Sequence, residues 1–306
     1  EMLANPREAY TQKLLNVRTV RESRYDHNKE DIQLKIVNVT ARYPGTSVDV
    51  LKDINVEIIK GKTVAVVGES GSGKSTLARV ITGLLPPSQG SVKFHDRELT
   101  AELRDRPKKD LQSIQMIYQM ADVAMNPRHK IKDIIGRPLE FYLGIKGKAR
   151  EQRVLDLLRH IELPEEFGER YPAQLSGGEK QRVCIARALA AEPELIICDE
   201  VTSALDQLVA EGILDLLLNL QKELNVSYLF ITHDLATVKA IADEIVVMYQ
   251  GAVVEQGTKA EILTPPYEPY TELLLSSVPE MDPDWLDDLV ERRKRGEAPT
   301  AESISA

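Results

Sequence analysis

The alternation of apolar and polar positions predicts strands at the start of the patterned part of the chain. Residues 32–43, "IQLKIVNVTARY", alternate with a period of two, and a second strand-like run, "VLKDINVEII", follows the turn "PGTS". Such alternation is typical of strands with one buried face, and a short turn between two of them favours antiparallel pairing. We therefore predict an antiparallel strand pair here.

Continuous apolar runs predict a second kind of strand. "KTVAVVG" leads into a glycine-rich loop and then into the helical pattern "STLARVITGLL", while "ELIICDE" and "SYLFITHD" flank another helical segment. Residues 127–187 have a mainly helical pattern. Buried strands that alternate with helices predict an α/β fold with a parallel sheet covered on both faces.

Composition narrows the class of protein. The chain has 306 residues, of which 42% are hydrophobic, so it can bury one large core or two ordinary ones. No apolar run reaches the roughly 18 residues that a membrane-spanning helix needs. The net charge of −9 gives no general attraction to nucleic acid, and no nucleic-acid partner is expected. Cys184 and Cys198 lie in apolar surroundings and are predicted to be small buried residues.

The segment "GESGSGKST" matches the phosphate-binding pattern G-x-x-x-x-G-K-[ST] between a strand and a helix. Glycines let the backbone wrap an anion, a lysine adds positive charge, and a hydroxyl can ligate Mg²⁺. We predict that this loop binds a nucleoside triphosphate. The residues expected to contact it are Gly68, Ser70, Gly71, Ser72, Gly73, Lys74, Ser75 and Thr76.

Two adjacent carboxylates end the apolar run "LIICDE", and a histidine ends the run "LFITH". Ligands of open parallel sheets bind at the carboxyl ends of strands. Asp199 therefore suits the Mg²⁺ shell, and Glu200 suits a general base or a water-positioning role. A histidine at such a place is more often structural, so the sequence pattern alone leaves the role of His233 open.

Residues 175–182, "LSGGEKQR", place a second anion-receptive helix start in the same chain. With this segment the sequence resembles the ATP-binding-cassette (ABC) ATPases, whose signature is LSGGQ, with Glu179 in place of the glutamine. The resemblance implies a P-loop NTPase fold with a RecA-like core sheet, an antiparallel β subdomain and an inserted α-helical signature subdomain. It also implies that Ser176, Gly177 and Gly178 close on the ATP held by a second ABC domain.

The same resemblance assigns further residues. Gln119 corresponds to a glutamine that senses Mg²⁺ and the membrane partner, so that Ser75, Gln119 and Asp199 are the expected metal ligands. His233 corresponds to a histidine that contacts the terminal phosphate, beside Glu200 and Gln119 in catalysis. Asp206 closes the segment "SALD" near the nucleotide, and Tyr43 is expected to stack on adenine.

The end of the chain resembles the C-terminal extension of the oligopeptide and dipeptide importer ATPases. Pro269, Tyr270 and Thr271 match that extension, whereas Glu268 stands where histidine is usual. Met120 and Ala121 also replace an Asp-Pro pair that is usual after the glutamine. We predict an ABC ATPase domain over residues 31–257, and an importer-type extension with a disordered tail over residues 258–306.

The first fifteen residues, "EMLANPREAYTQKLL", are similar to residues 261–275, "EILTPPYEPYTELLL". We expect residues 1–30 to be the tail of a preceding cassette plus a linker, which makes this chain the C-terminal half of a tandem two-cassette ATPase. The family then implies two transmembrane permease subunits, indirect action with an extracytoplasmic solute-binding protein, and a peripheral location on the cytoplasmic face of the inner membrane.

The predicted function is that of an Mg²⁺-dependent ATP hydrolase that powers import of peptides or a related small solute. One alternative is a non-transport ABC ATPase, such as an accessory subunit of a phosphonate-degrading complex, which would also resemble peptide-importer ATPases. A nucleotide-binding module without hydrolysis is disfavoured by the presence of Gln119, Glu200 and His233.

Overall fold

The computed structural model describes residues 31–277. The predicted segment 1–30 and the end of the predicted extension, residues 278–306, lie outside the described residues. The strands in chain order are β1 (Ile32–Ala41), β2 (Leu51–Ile59), β3 (Thr63–Val67), β4 (Gln89–Phe94), β5 (Arg97–Glu98), β6 (Ile114–Ile117), β7 (Leu195–Asp199), β8 (Ser227–Ile231), β9 (Glu244–Tyr249) and β10 (Ala252–Thr258).

The helices alternate with the strands of the larger sheet, apart from a group of four between β6 and β7. In chain order they are α1 (Lys74–Thr82), α2 (Lys108–Ser113), α3 (Ala121–Ala124), α4 (Ile131–Leu143), α5 (Gly147–His160), α6 (Gly177–Leu189), α7 (Gln207–Leu224), α8 (Leu235–Ile241), α9 (Lys259–Ile262) and α10 (Pro269–Ser276). Within residues 31–277, none of the helices combines the length and the apolar character needed to span a bilayer.

The strands form two sheets. The smaller sheet is antiparallel with the order β2-β1-β4-β5, which confirms the predicted strand pair, since Ile36 lies opposite Val56. The larger sheet has the order β10-β9-β3-β8-β7-β6, and its strands run parallel except for the edge strand β10. Strands β3, β8 and β7 are thus neighbours, so the segments that follow them emerge at one edge of the sheet.

Strand β3 shows why the apolar runs are continuous. All five of its residues are buried. Val64 and Val66 face the smaller sheet and α1, whereas Ala65 and Val67 face the opposite side, where α8, α9 and α10 pack. Side chains alternate between the two faces of a strand, so a strand covered on both faces needs apolar residues at every position. Burying each valine contributes about 1.5–3 kcal/mol.

The four helices α3 to α6 form the predicted helical subdomain between β6 and β7. Their apolar side chains, such as Ile131, Leu158 and Val183, share one core with the facing side of the larger sheet. Cys184 on α6 and Cys198 on β7 belong to that core and are fully buried, as predicted. Burial raises the pKa of both thiols, so they stay protonated and pack as small apolar residues.

Candidate active site

The phosphate loop connects β3 to α1 and depends on glycines. Gly68, Gly71 and Gly73 have positive φ angles of 145°, 85° and 105°. A Cβ atom on Gly73 would lie 2.8 Å from Cδ2 of Leu51, and one on Gly68 would lie 2.1 Å from the carbonyl oxygen of Met248. At both positions only the hydrogen atom of a glycine fits. The loop therefore brings the unpaired N–H groups of the first turn of α1 to the sheet edge.

Lys74 lies inside the loop. Its Nζ donates hydrogen bonds to the carbonyl oxygens of Gly68 and Glu69, at 2.7 Å each. Burial lowers the pKa of Lys74, against the opposing effect of the Glu200 and Asp199 charges. The ammonium group is thus hydrogen-bonded to two backbone carbonyls and lies close to both carboxylates. A positive charge at this place favours the binding of a polyphosphate.

Ser75 and Asp199 join the phosphate loop to the end of β7. The Ser75 hydroxyl donates to Oδ1 of Asp199 at 3.0 Å. Burial raises the pKa of Asp199, and the hydroxyl of Ser75 opposes this shift. No group of three or more His, Cys, Asp or Glu side chains within residues 31–277 forms a metal site. Mg²⁺ needs no such group, because it commonly takes one or two carboxylates with phosphates and water, so this oxygen pair fits Mg²⁺.

Glu200 is the centre of the predicted catalytic group. Its backbone has a φ of 49°, in the left-handed region, and its N–H donates to the carbonyl of Ile231 at 2.9 Å. Its two carboxylate oxygens face two other predicted residues. Gln119 Nε2 donates to Oε2 at 2.8 Å, and His233 Nδ1 lies 3.3 Å from Oε1. The structure therefore brings Gln119, Glu200 and His233 together, and their catalytic roles stay a prediction.

Ser203, the first residue of the segment "SALD", also contacts this group, which the sequence did not predict. Its hydroxyl donates to the carbonyl oxygen of Glu200 at 3.0 Å and accepts from Gln119 Nε2 at 3.3 Å. Ser203 lies three residues after Glu200, a spacing typical of a turn, and this spacing could have predicted the contact.

Tyr43 packs beside the first turn of α1. Its hydroxyl lies 3.1 Å from Oγ1 of Thr76 and accepts a hydrogen bond from Arg79 at 3.0 Å. The Arg79 guanidinium lies 5.7 Å from the centre of the tyrosine ring. Arg79 belongs to no sequence motif, and its contact with Tyr43 was not predicted. Tyr43 is thus next to the phosphate loop, and its stacking on adenine stays a prediction.

The signature residues form a second group at the start of α6. The Ser176 hydroxyl accepts from the Glu179 N–H at 3.4 Å, and Glu179 Oε2 accepts from the Ser176 N–H at 2.6 Å. This reciprocal cap works equally well with glutamate and with glutamine. Ser176 and Gly177 are exposed to solvent.

Asp206 belongs to this second group. Its carboxylate caps α7 by accepting from the Val209 N–H at 3.1 Å. Val209 in turn leaves no room for a side chain on Gly178, since a Cβ there would lie 2.4 Å from Val209 Cγ1. Ser176, Gly177, Gly178 and Asp206 therefore form a second group of residues, at the starts of α6 and α7.

The chain matches two known families. Residues 51–203 match the family described as ABC transporter, and residues 254–305 match the C-terminal region of oligopeptide/dipeptide transporters. The dipeptide transport ATP-binding protein DppF of Escherichia coli K12 is 40% identical over 261 residues, which cover 84% of this chain and 76% of that relative. The oligopeptide transport ATP-binding protein OppF of Haemophilus influenzae is 42% identical over 234 residues, or 76% of this chain and 70% of that protein.

Solved structures agree with these matches and confirm the predicted fold class. The structure of cbiO1 from Clostridium perfringens, part of the ABC transporter complex cbiONQ, has a TM-score of 0.71 at 28% identity and covers 86% of this chain and 100% of that one. A dimeric ATP-binding cassette in a post-hydrolysis state with ADP and Pi has a TM-score of 0.64 at 32% identity, and covers 74% of this chain and 98% of that one. The chain therefore belongs to the ABC transporter family and is one of its ATP hydrolases.

Proposed function

We propose that this chain is the ATP-hydrolysing subunit of an importer for peptides or a related small solute. The observation that carries the proposal is the match of residues 254–305 to the C-terminal region of oligopeptide/dipeptide transporters. The names of DppF and OppF, which refer to dipeptide and oligopeptide transport, support the same assignment. They do not favour the alternative of an accessory subunit in a phosphonate-degrading complex.

The phosphate loop holds the ATP phosphates in this proposal. The N–H groups of the loop and the ammonium group of Lys74 surround the polyphosphate, and Tyr43 stacks on adenine. Ser75, Asp199 and the amide oxygen of Gln119 would hold Mg²⁺, which when bound neutralises phosphate charge. Because these groups are held by the loop and by the ends of β6 and β7, the γ-phosphate is oriented before the reaction begins.

Glu200 is the general base of the proposed reaction. Its carboxylate accepts a proton from the water that attacks the γ-phosphate, while Gln119 holds one carboxylate oxygen and His233 lies against the other. His233 is well exposed, so its ring can also reach the terminal phosphate. Such preorganised groups typically contribute a hundredfold or more to the rate.

A second ABC ATPase domain completes the site. The exposed start of α6 would meet the ATP of this mate through the Ser176 side chain and the N–H groups of Gly177 and Gly178, as helix N-termini do for anions. Asp206 supports the neighbouring start of α7. We place the mate N-terminal to this cassette, with residues 1–30 as the tail of that mate plus a linker, in keeping with the similarity between residues 1–15 and 261–275.

The permease subunits are proposed to contact the surface around Gln119. Tyr118, Met120 and Val123 are large hydrophobic residues that remain 42%, 58% and 76% exposed. Tyr118 also lines a cleft of about 330 Å³, together with Leu103 and Tyr142. Exposed apolar groups beside a cleft favour a protein partner. The subunit would thus be peripheral at the cytoplasmic face of the inner membrane, and a solute-binding protein would act on it indirectly.

Reconstitution tests this proposal. The chain should co-purify with two polytopic membrane subunits, and vesicles that contain the assembly should take up peptide when ATP is supplied. Peptide delivered by the solute-binding protein should raise the ATPase rate several-fold. The matched control is an assembly with Glu200→Gln, which should form normally but transport nothing. Co-purification with soluble subunits alone, without peptide uptake, would contradict the proposed transport function.

A further inference from the structure

The C-terminal extension contacts the phosphate loop through one tyrosine. Tyr270 lies at the start of α10, and its side chain is 1% exposed. Its hydroxyl oxygen accepts a hydrogen bond from the backbone N–H of Glu69 at 3.0 Å, across a sequence separation of 201 residues. Glu69 directly follows Gly68 in the loop, so the extension reaches the backbone that surrounds Lys74.

This hydrogen bond fixes one particular peptide group. The N–H of the Gly68–Glu69 peptide points to Tyr270, while its carbonyl oxygen accepts from Lys74 Nζ at 2.7 Å. The N–H and C=O of a trans peptide point in opposite directions. Tyr270 and Lys74 therefore hold the same peptide plane from opposite sides.

The loop needs such a restraint because glycine is permissive. Gly68 has a φ of 145°, and glycine can rotate to other conformations more freely than any other residue. A rotation of the Gly68–Glu69 peptide would turn its carbonyl away from Lys74 and its N–H away from the hydroxyl of Tyr270. Leaving the hydroxyl of a buried tyrosine without a partner is costly, so this hydrogen bond favours the observed orientation.

Tyr270 is itself firmly held. Its ring packs on Tyr249 with 4.3 Å between centroids, inside the apolar cluster that includes Val67. Glu268 caps α10 by accepting from the N–H groups of Tyr270 at 2.7 Å and Thr271 at 3.1 Å. The Thr271 hydroxyl donates to Glu255 on β10. The tyrosine hydroxyl thus has a fixed place relative to the sheet that carries the loop.

We infer that Tyr270 is a positioning residue for ATP: it holds the Gly68–Glu69 peptide so that Lys74 and the loop N–H groups are set for the polyphosphate. The C-terminal extension thereby sets the affinity of the nucleotide site. This inference rests on the proposed ATP-binding role of the loop and is independent of which solute is transported.

The test compares Tyr270→Phe with Tyr267→Phe in the full chain. The first change removes the hydroxyl that meets the loop and keeps the ring. The second removes a hydroxyl from the same extension that donates to the carbonyl of Leu263 at 3.3 Å. Tyr270→Phe should raise the KM and the Kd for ATP about fivefold to tenfold while kcat stays within twofold. Tyr267→Phe should leave all three unchanged.

Two results would overturn the inference. One is an unchanged Kd for ATP in Tyr270→Phe, and the other is a fall in kcat without a change in KM. Thermal unfolding without nucleotide should shift by similar amounts in the two variants, which separates loop positioning from general stability. Because ATP binding needs no peptide uptake, a wrong assignment of the solute would not alter these measurements.

Hydrogen exchange gives a second readout that does not depend on a variant. In the full chain without nucleotide, the Glu69 amide should exchange at least tenfold more slowly than an unprotected loop amide. In Tyr270→Phe this protection should be lost. Exchange of the wild-type Glu69 amide at the rate of a solvent-exposed loop would overturn the inference even if the variant did not fold.

Discussion

The side-chain nitrogen of Gln119 lies 2.8 Å from Oε2 of Glu200. Gln119 follows β6, where the chain enters the helical subdomain, and Glu200 follows β7, where the chain has left it. Ile117 and Cys198 are opposite each other in the ladder of these two strands. The proposed general base is therefore hydrogen-bonded to the segment that leads into the helical subdomain, so a movement of that segment would alter the position of the Glu200 carboxylate directly.

Replacing Glu200 with glutamine should stop hydrolysis but keep ATP bound. The amide has nearly the same shape and can still contact Gln119 and His233, but it cannot accept the proton of the attacking water. Phosphate release should fall at least a hundredfold, and the Kd for ATP should change less than threefold. The matched control is Glu151→Gln, an exposed site on α5. A Glu200→Gln variant with the full ATPase rate would show that another group is the base.

Alanine at Gly73 should harm ATP binding more than alanine at Gly71. Both glycines have positive φ angles, of 105° and 85°. A Cβ on Gly73 would lie 2.8 Å from Leu51, whereas a Cβ on Gly71 meets nothing within 4 Å. Gly71→Ala therefore tests backbone strain alone, about 1–2 kcal/mol, and Gly73→Ala adds a steric clash. Equilibrium titration with ATP measures the difference, and equal losses in both variants would contradict it.

A pair of substitutions tests the surface at the start of α6. Gly178→Ala places a methyl group 2.4 Å from Val209 Cγ1, so the signature must shift. We expect about a tenfold loss of ATPase activity with unchanged ATP binding. Val209→Ala removes the clashing methyl group and should restore most of the activity in the double variant. If the two losses simply add, the contact between Gly178 and Val209 does not explain the effect.

The ion pairs of Glu169 should make a small, pH-dependent contribution to stability. Hydrogen bonds from Lys130 and Lys132 lower the pKa of Glu169 to about 2 from its usual 4.5. Because the pKa is lower in the folded state, the stabilisation is complete above pH 4.5 and is lost as the pH falls toward 2. The free energies of unfolding of the wild type and of Glu169→Gln, measured in urea, should differ at pH 7 and converge as the pH falls from 4.5 toward 2. High salt should reduce the difference at pH 7, since the pairs are exposed.

Local sequence patterns predicted the parts of the site that lie next to one strand. An apolar run predicts the buried strand β3 and the loop that begins at Gly68. Another predicts β7 and Asp199 at its end, and the parallel sheet then brings the two strand ends together. The contacts of Tyr270 with Glu69 and of Val209 with Gly178 were not predicted. These contacts arise where segments far apart in sequence pack together, and neither periodicity nor a motif predicts such packing. The proposed boundary between residues 257 and 258 stays a prediction.

The close approach of Gly68 to the Met248 carbonyl means that the phosphate loop packs against the end of β9. The turn between β9 and β10 supports it too, because the Gly251 N–H donates to the Ser72 carbonyl at 3.1 Å. Transplanting the nine-residue motif into another scaffold would therefore fail unless this hairpin travelled with it. Likewise, a peptide inserted between Gln250 and Gly251 would displace the phosphate loop and weaken nucleotide binding, although the insertion lies far from the loop in sequence.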